Sequence, residues 1–338
     1  MKRSQLKLEA VACWDNLVGA TWKAAIGKRH RAEVQEFLGS LEGNLDRLGS
    51  EIRSGRINWG KTRTFSIRDP KPRLISAPSF RDRVFHHALM AKVGPVLERG
   101  LVSDTFACIN GRGTRAAIGR CQFHTQRFDW YAKLDVRQYF ASIRHDVLLQ
   151  LLERKFKNSG LLALIASLIK HSSPSLDRGL PIGALTSQHF ANFFLSGLDR
   201  YLLETVRVAG FVRYMDDFIF WGDDKGEVVS GSEKAVDYLR DTLDLKPRGA
   251  AEINQCRYGV TFCGYRIFAG TVRLALSRRR RCLAHWNRWE NAWKRGEIGG
   301  RELQRRMDSV LGMTADGQVN AWKRGILKRR DTVWYEDV

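Results

Sequence analysis

The stretch FVRYMDDFIFWGDD, residues 211–224, decides the fold. Apolar and aromatic residues flank two adjacent carboxylates, Asp216 and Asp217, with Tyr214 and Met215 before them and Phe218, Ile219 and Phe220 after, which reads as strand, tight turn, strand. Acids at the tip of such an apolar hairpin repel one another and lose solvation, which raises their pKa unless a cation compensates. A divalent metal is a natural resident there, and hard Mg2+ prefers an all-oxygen site. Two acids in an isolated turn are ordinarily a solvated Asx turn, so the reading depends on what lies elsewhere in the chain.

Upstream, WYAKLDV (130–136) reads as a strand ending on a third acid, Asp135, followed by Tyr139, Phe140 and Ser142. Alone, Asp135 serves equally well as a strand-end cap or an ion-pair partner. Three acids on two neighbouring strands, however, can bridge two metals about 3.5–4 Å apart, the arrangement that activates a hydroxyl and stabilises a departing pyrophosphate in nucleotidyl transfer.

Outward from this centre the pattern is mixed α and β. Residues 1–60 are polar and periodic, with Leu38, Leu41, Leu45 and Leu48 at helical spacing and a basic loop at Lys28, Arg29, His30 and Arg31. Segments RTFSI and RLISA flank the turn-forming RDPKPR and predict a hairpin, with a helix over Phe80 to Leu97. Helices are predicted over His145 to Phe156, Leu161 to Lys170, 187–206 and 232–243, with short strands around LKP (245–247) and VTFCGYRIF (260–268). From Ser277 onward the charge is densest, and glycines near 299 and 312 separate predicted helices. There is no internal repeat or low-complexity tract.

The 57 Lys and Arg against 36 Asp and Glu give a formal charge of +21, more than solubility requires, and point to a polyanionic partner, nucleic acid first. The basic residues are interleaved with Trp and adjoin no amphipathic anchor, so membrane binding is not expected. Cysteines 13, 108, 121, 256, 263 and 282 form no C-x-x-C pair, which argues against a zinc ribbon or a disulfide framework and fits a cytoplasmic protein. MKRSQLKLEAVACWDN lacks the apolar core of a signal peptide, and LLALIASLI (161–169) is too short to span a bilayer.

The segments DVRQYFASI, GLPIGALTSQHFANFFL, FVRYMDDFIF and VTFCGYRIF, in that order, resemble motifs A, B, C and E of reverse transcriptases. PKPRLISAPSFRDRVFHHAL resembles the fingers motifs of the bacterial branch, and DTFACINGRGTRAAI the segment between fingers and palm, so the resemblance covers roughly residues 14–330. Most members carry Gln-Gly and Ser-Pro where this chain has Ile182-Gly183 and Ser187-Gln188; the form IGxxxSQ resembles diversity-generating retroelements. Such enzymes copy a template-repeat RNA into cDNA, misincorporate at adenines and diversify a protein gene. The implied architecture is an α+β right-hand polymerase: fingers and N-terminal helices over 1–125, interleaved with a palm over 126–270 that carries an antiparallel sheet, and a helical thumb over 271–338.

The resemblance also assigns roles. Asp135, Asp216 and Asp217 would be catalytic and hold two Mg2+ ions, with Mn2+ able to substitute and the Val136 carbonyl assisting. Lys71 and Arg73 would clamp the incoming dNTP triphosphate, a charge-assisted task suited to a guanidinium fork. Tyr139 and Phe140 would line the nucleotide site, Phe140 as a steric gate against a 2′-hydroxyl, although ordinary core packing is the commoner use of a Phe. Ile182, Gly183, Ser187 and Gln188 would complete that site, with glycine allowing close backbone approach. Phe262, Gly264 and Tyr265 resemble the primer grip, and Arg278, Arg279, Arg280 and Arg281 would follow nucleic-acid phosphates. Tryptophans 286, 289 and 293 share a helical face and read as a core stripe before a base-stacking platform.

Two departures matter. Ile182 lacks the amide that the usual Gln offers near the nascent base pair. KPRGAAE (246–252) has no lysine cleanly placed as the family's general acid; Lys246 or Arg248 could substitute, but an arginine is a poor proton donor, so the acid is unassigned. The resemblance further implies a structured template RNA, an RNA/cDNA hybrid and a small basic oligomeric accessory protein as partners, and no nuclease domain. Other bacterial reverse transcriptases and a non-catalytic RNA-binding scaffold are the rival readings.

Overall fold

The computed structural model describes residues 3–68, 72–173, 175–312, 314 and 319–328. Strands β1 (Arg63–Arg68) and β2 (Pro72–Ala77) form an antiparallel hairpin with Arg68 opposite Pro72. Lys71, between the two strands in sequence, lies outside the described residues. The long helix Phe80–Glu98 follows, capped by Ser79 Oγ accepting from Asp82 N at 3.1 Å. The helix Trp14–Ala25 packs beside it and Leu41–Ser54 packs in turn on Trp14–Ala25, with Leu45, Leu48 and Ile52 buried at helical spacing.

The central antiparallel sheet comprises β3 (Trp130–Asp135), β4 (Gly210–Tyr214), β5 (Asp217–Gly222) and β6 (Glu252–Gln255), in the order β4-β5-β3-β6. It is buried on both faces, and its residues alternate accordingly. Phe218, Phe220 and Ala132 join the large core that runs back through the N-terminal helices. Ile219, Trp221 and Tyr131 join a second core shared with the helix Thr114–Arg127 and a three-stranded sheet, β7 (Val260–Phe262), β8 (Tyr265–Ile267) and β9 (Val272–Leu274). A third core lies in the C-terminal helices Leu276–Lys294 and Gly300–Gly312, built on Cys282, Trp286, Leu303, Met307 and Val310. Trp289 and Trp293 pack against it, so the tryptophan stripe faces another helix.

The structure differs from the sequence expectations at several points. The helix expected over 187–206 starts at Leu185, breaks after Phe194, resumes over Ser196–Arg200 and widens into a π-helical turn over Tyr201–Val206. The helix expected from 232 begins at Lys225, because Asp224 Oδ1 caps Gly226 N and Glu227 N at 2.6 and 3.1 Å. LKP is no strand and contributes one isolated bridge, Val136 to Pro247; β6 forms further on, over EINQ. The helix Thr114–Arg127 crosses the expected division at 125, and the division at 270 falls inside the β7–β9 sheet. A single apolar core joins the expected fingers and palm, whereas the C-terminal helices have their own.

Candidate active site

Asp135 and Asp217 are direct cross-strand partners at the end of the β3–β5 ladder, and Tyr214 pairs with Asp217 across the β4–β5 hairpin. Asp216 therefore sits in a two-residue turn, Met215-Asp216, and Met215 carries φ +59, a left-handed value that hairpin turns usually give to Gly, Asn or Asp. The turn is held from below: Arg213 Nη1 donates to the Met215 carbonyl at 2.9 Å. Period-2 alternation puts Lys133, Asp135 and Asp217 on the sheet face that looks toward β7–β9.

Like charges placed directly across a sheet are destabilising, and the chain compensates with cations of its own. Arg248 Nη1 lies 3.0 Å from Asp135 Oδ2, while the Arg248 backbone N–H donates to the Asp135 carbonyl at 2.7 Å. Lys133 Nζ lies 3.3 Å from Asp217 Oδ2. Burial pushes the Asp216 carboxyl up, and Asp135 adds to the rise, with Arg73 on the β1–β2 hairpin opposing it. Burial likewise pushes Asp217 up to about 7 against the opposing pull of Lys133. Arg73 is exposed on β2, and its charge acts on Asp216.

Three carboxylates fit a hard divalent cation. Asp217 Oδ1 is buried without a hydrogen-bond partner, an oxygen whose charge no protein donor satisfies. Among the described residues no three His, Cys, Asp or Glu side chains already form a ligating cluster. Val136 is buried beside Asp135 and bridges to Pro247.

The other candidate residues divide by exposure. Phe140 is half-buried, edge-on to Tyr139 with ring centroids 5.8 Å apart, and its carbonyl accepts from Leu180 N at 2.7 Å. Tyr139 itself is 2% exposed and donates its hydroxyl to the Ala191 carbonyl, so it packs the helix behind the site where a nucleotide contact was expected. Ser187, also 2% exposed, is likewise inside the helix Leu185–Phe194 instead of opening it; Gln188 is exposed and accepts from Cys108 Sγ at 3.6 Å. Ile182 is half-buried and ties the loop to the hairpin, its carbonyl accepting from Ser76 N at 2.8 Å. At Gly183, φ is +114, and a Cβ would meet the Ser76 carbonyl oxygen and Ile75 Cγ2 at 2.9 Å, so glycine is required by both conformation and space.

Phe262 and Tyr265 are fully buried and pair across the turn Cys263-Gly264, where both φ values are positive, 48 and 80. Both rings belong to the buried cluster shared with the β7–β9 sheet. Arg278 is also turned inward: Nη1 donates to the Cys263 carbonyl at 2.9 Å and the guanidinium stacks 4.6 Å over the Tyr265 ring. Arg279 and Arg280 are exposed, and Arg281 is half-buried. Arg279 also lies over Trp322 at 5.8 Å.

Sequence reading missed Lys133 and the buried Arg213, and it weighed Arg248 only as a proton donor, not as the partner of Asp135. Lys133 and Arg213 carried a signal, a charged residue inside an otherwise apolar strand, WYAKLD and GFVRY.

A putative COX1/OXI3 intron 2 protein of Saccharomyces cerevisiae is 29% identical over 169 residues, 47% of this chain and 20% of that protein. Protein YkfC of Escherichia coli is 25% identical over 231 residues, 64% of this chain and 57% of that protein. The chain therefore spans about a fifth to somewhat over half the length of these relatives. The structure of apo telomerase from Candida tropicalis, truncated from its C-terminal domain, aligns over 64% of this chain and 55% of that one, at 15% identity and a TM-score of 0.46. Residues 66–246, just over half of the 338, match the reverse transcriptase (RNA-dependent DNA polymerase) family, and the chain belongs to that family.

Proposed function

We propose that the chain is an RNA-directed DNA polymerase whose centre is Asp135, Asp216 and Asp217. The observation that carries this is the pairing of Asp135 with Asp217 beside the Met215-Asp216 turn. The three carboxylates would hold two Mg2+ ions, whose chemistry when bound is activation of a primer 3′-hydroxyl and neutralisation of the leaving pyrophosphate. Arg73 would bind the triphosphate of a dNTP, and Phe140, at the edge of the site, would close the space a 2′-hydroxyl needs. Gly183 lets the loop approach the hairpin closely, and a bound nucleotide would lie between the two. The exposed Arg279 and Arg280 would follow the phosphates of an RNA/cDNA hybrid. No helix among the described residues is long and apolar enough to cross a membrane, in keeping with a nucleic-acid partner for the +21 charge.

The finer reading is a diversity-generating role: copying a template-repeat RNA with errors at adenine, alongside a small basic oligomeric accessory protein. It rests on the IGxxxSQ form of residues 182–188. The test is Mg2+-dependent dNTP incorporation on a primed RNA, with and without Asp216→Ala/Asp217→Ala, and sequencing of the product. Incorporation lost in the variant supports the polymerase, and errors concentrated at template adenines support the diversifier. Accurate products would keep the first and reject the second.

A further inference from the structure

Lys133 stands two residues before Asp135 on the same face of β3, in a strand that is otherwise apolar up to its terminal acid. Its side chain is 19% exposed, and Nζ makes two contacts there. It donates to the Thr261 carbonyl at 2.8 Å and lies 3.3 Å from Asp217 Oδ2. Thr261 is the middle residue of β7, two positions before Cys263 in the β7–β8 turn. Burial pushes the Cys263 thiol up to about 12, with Asp217 adding to the rise and Lys133 and Arg278 opposing it. Arg278 holds the Cys263 carbonyl as well. The turn is therefore clasped by two cations, one of which also grips an acid of the active site.

We infer that Lys133 is a positioning residue that fixes the β7–β8 turn, and with it the end of a bound primer, against Asp217. The inference rests on the polymerase reading and adds a residue that the family resemblance does not assign. Lys133 engages Oδ2 of Asp217 and leaves Oδ1 as the unpartnered oxygen, so the orientation of the carboxylate and the height of the turn are set by one ammonium group. A displacement of about 1 Å between reacting groups is enough to cost on the order of 100-fold in rate. Methionine at this position keeps the stem and loses both contacts; arginine keeps the charge and the donors.

The experiment compares the full chain with Lys133→Met and Lys133→Arg on a primed RNA in Mg2+. In Lys133→Met, kcat should fall by about 100-fold while the dNTP KM and primer-template Kd stay within about three-fold, and Lys133→Arg should recover at least about ten-fold of the loss. Hydrogen exchange on the metal-free proteins supplies a readout independent of activity. Backbone amides of residues 259–266 should exchange faster in Lys133→Met, while those of the helix Leu185–Phe194 stay unchanged. A Lys133→Met kcat within about three-fold of the parent, or unaltered exchange over 259–266, overturns the inference. If the parent chain incorporates no nucleotide, the polymerase reading fails by itself, and the exchange measurement still decides the Lys133 tie.

Discussion

Arg213 and Asp199 form an ion pair with neither side chain exposed, Nε to Oδ1 at 2.7 Å and Nη2 to Oδ2 at 2.6 Å. The same guanidinium donates to Asn192 Oδ1, the Asn192 carbonyl and the Met215 carbonyl at 2.8, 3.0 and 2.9 Å, so all five of its N–H donors are used. Thr105 Oγ1 adds a bond to Asp199 Oδ2 at 3.0 Å. The helices after the Gly183 loop are thereby locked to the residue whose left-handed φ carries Asp216. Arg213→Met would strand Asp199 as a buried, uncompensated charge. We expect it to cost about 3–5 kcal/mol in denaturant unfolding, with part of that recovered in Arg213→Met/Asp199→Leu. A cost below about 1 kcal/mol would mean that the pair does not organise the turn.

Gly183→Ala should act at the join between loop and hairpin. The new methyl group would lie 2.9 Å from the Ser76 carbonyl, a backbone atom that can yield only by moving β2 and breaking the bond from Ser76 N to the Ile182 carbonyl. The positive φ adds strain, and the sum should be about 1–3 kcal/mol of stability. Because β2 also carries Arg73, the dNTP KM should rise more than the primer-template Kd. Equal changes in both would place the damage elsewhere.

Proton and metal should compete at the acids. Asp216 and Asp217 have folded values raised above their ordinary one, so the stability they contribute is fully present below about pH 4 and is lost as pH rises through the folded value near 7 of Asp217. A divalent ion must displace those protons and so binds better as pH rises. The increase in Tm given by fixed Mg2+ should therefore grow between pH 5.5 and 8, on the order of several degrees, and should vanish in Asp216→Asn/Asp217→Asn. A pH-independent Mg2+ shift would argue that the ion binds elsewhere.

The acid limb of stability should carry the opposite sign at His86. Burial holds this side chain, 2% exposed, at about 3, with His87, Arg83 and His171 adding to the depression. Its contribution is intact above the unfolded value of about 6.5 and is lost as pH falls toward 3, at about 1.4 kcal/mol per pH unit. His86→Asn should flatten that slope between pH 6 and 4 in urea titrations, whatever it does to stability at neutral pH. An unchanged slope would show that His86 is already protonated in the fold.

Much of the centre was legible because it follows local rules. A hairpin with acids at its tip and a strand ending on Asp135 are period-2 patterns, and the Asp135–Asp217 register puts them side by side. The breaks were not legible. Leu195 ends a helix inside a stretch whose apolar spacing reads as one continuous helix, and β6 arises from EINQ, a segment with little strand propensity that pairs with the edge of β3. Nor does sequence reveal which face of a residue is used. Tyr139, Phe262 and Tyr265 stand inside motifs that suggest contact with a ligand, yet they are buried, because a ligand-binding turn needs a packed floor. Arg278 reads as one of four equal arginines and is spent on the Cys263 carbonyl.

Ile182 is where the sequence departs from its family, and the structure sharpens what that departure can mean. An apolar residue at such a position would ordinarily be a packing residue, but Ile182 belongs to none of the three buried clusters, nor to the half-buried residues packed on them, among the described residues. It is half-buried at the start of the loop beside Gly183, held by its carbonyl and not by its side chain. Substitution should therefore leave the fold intact and alter what the pocket demands of a base pair. A glutamine there adds a hydrogen-bond donor and acceptor worth about 0.5–1.5 kcal/mol, a factor of roughly 2–13 in discrimination. Ile182→Gln should accordingly lower misincorporation opposite template adenine by a factor in that range with Tm unchanged, measured by sequencing single-round cDNA. An error spectrum identical to the parent would remove Ile182 as a fidelity determinant and leave the adenine bias, if present, to the hairpin or to the RNA.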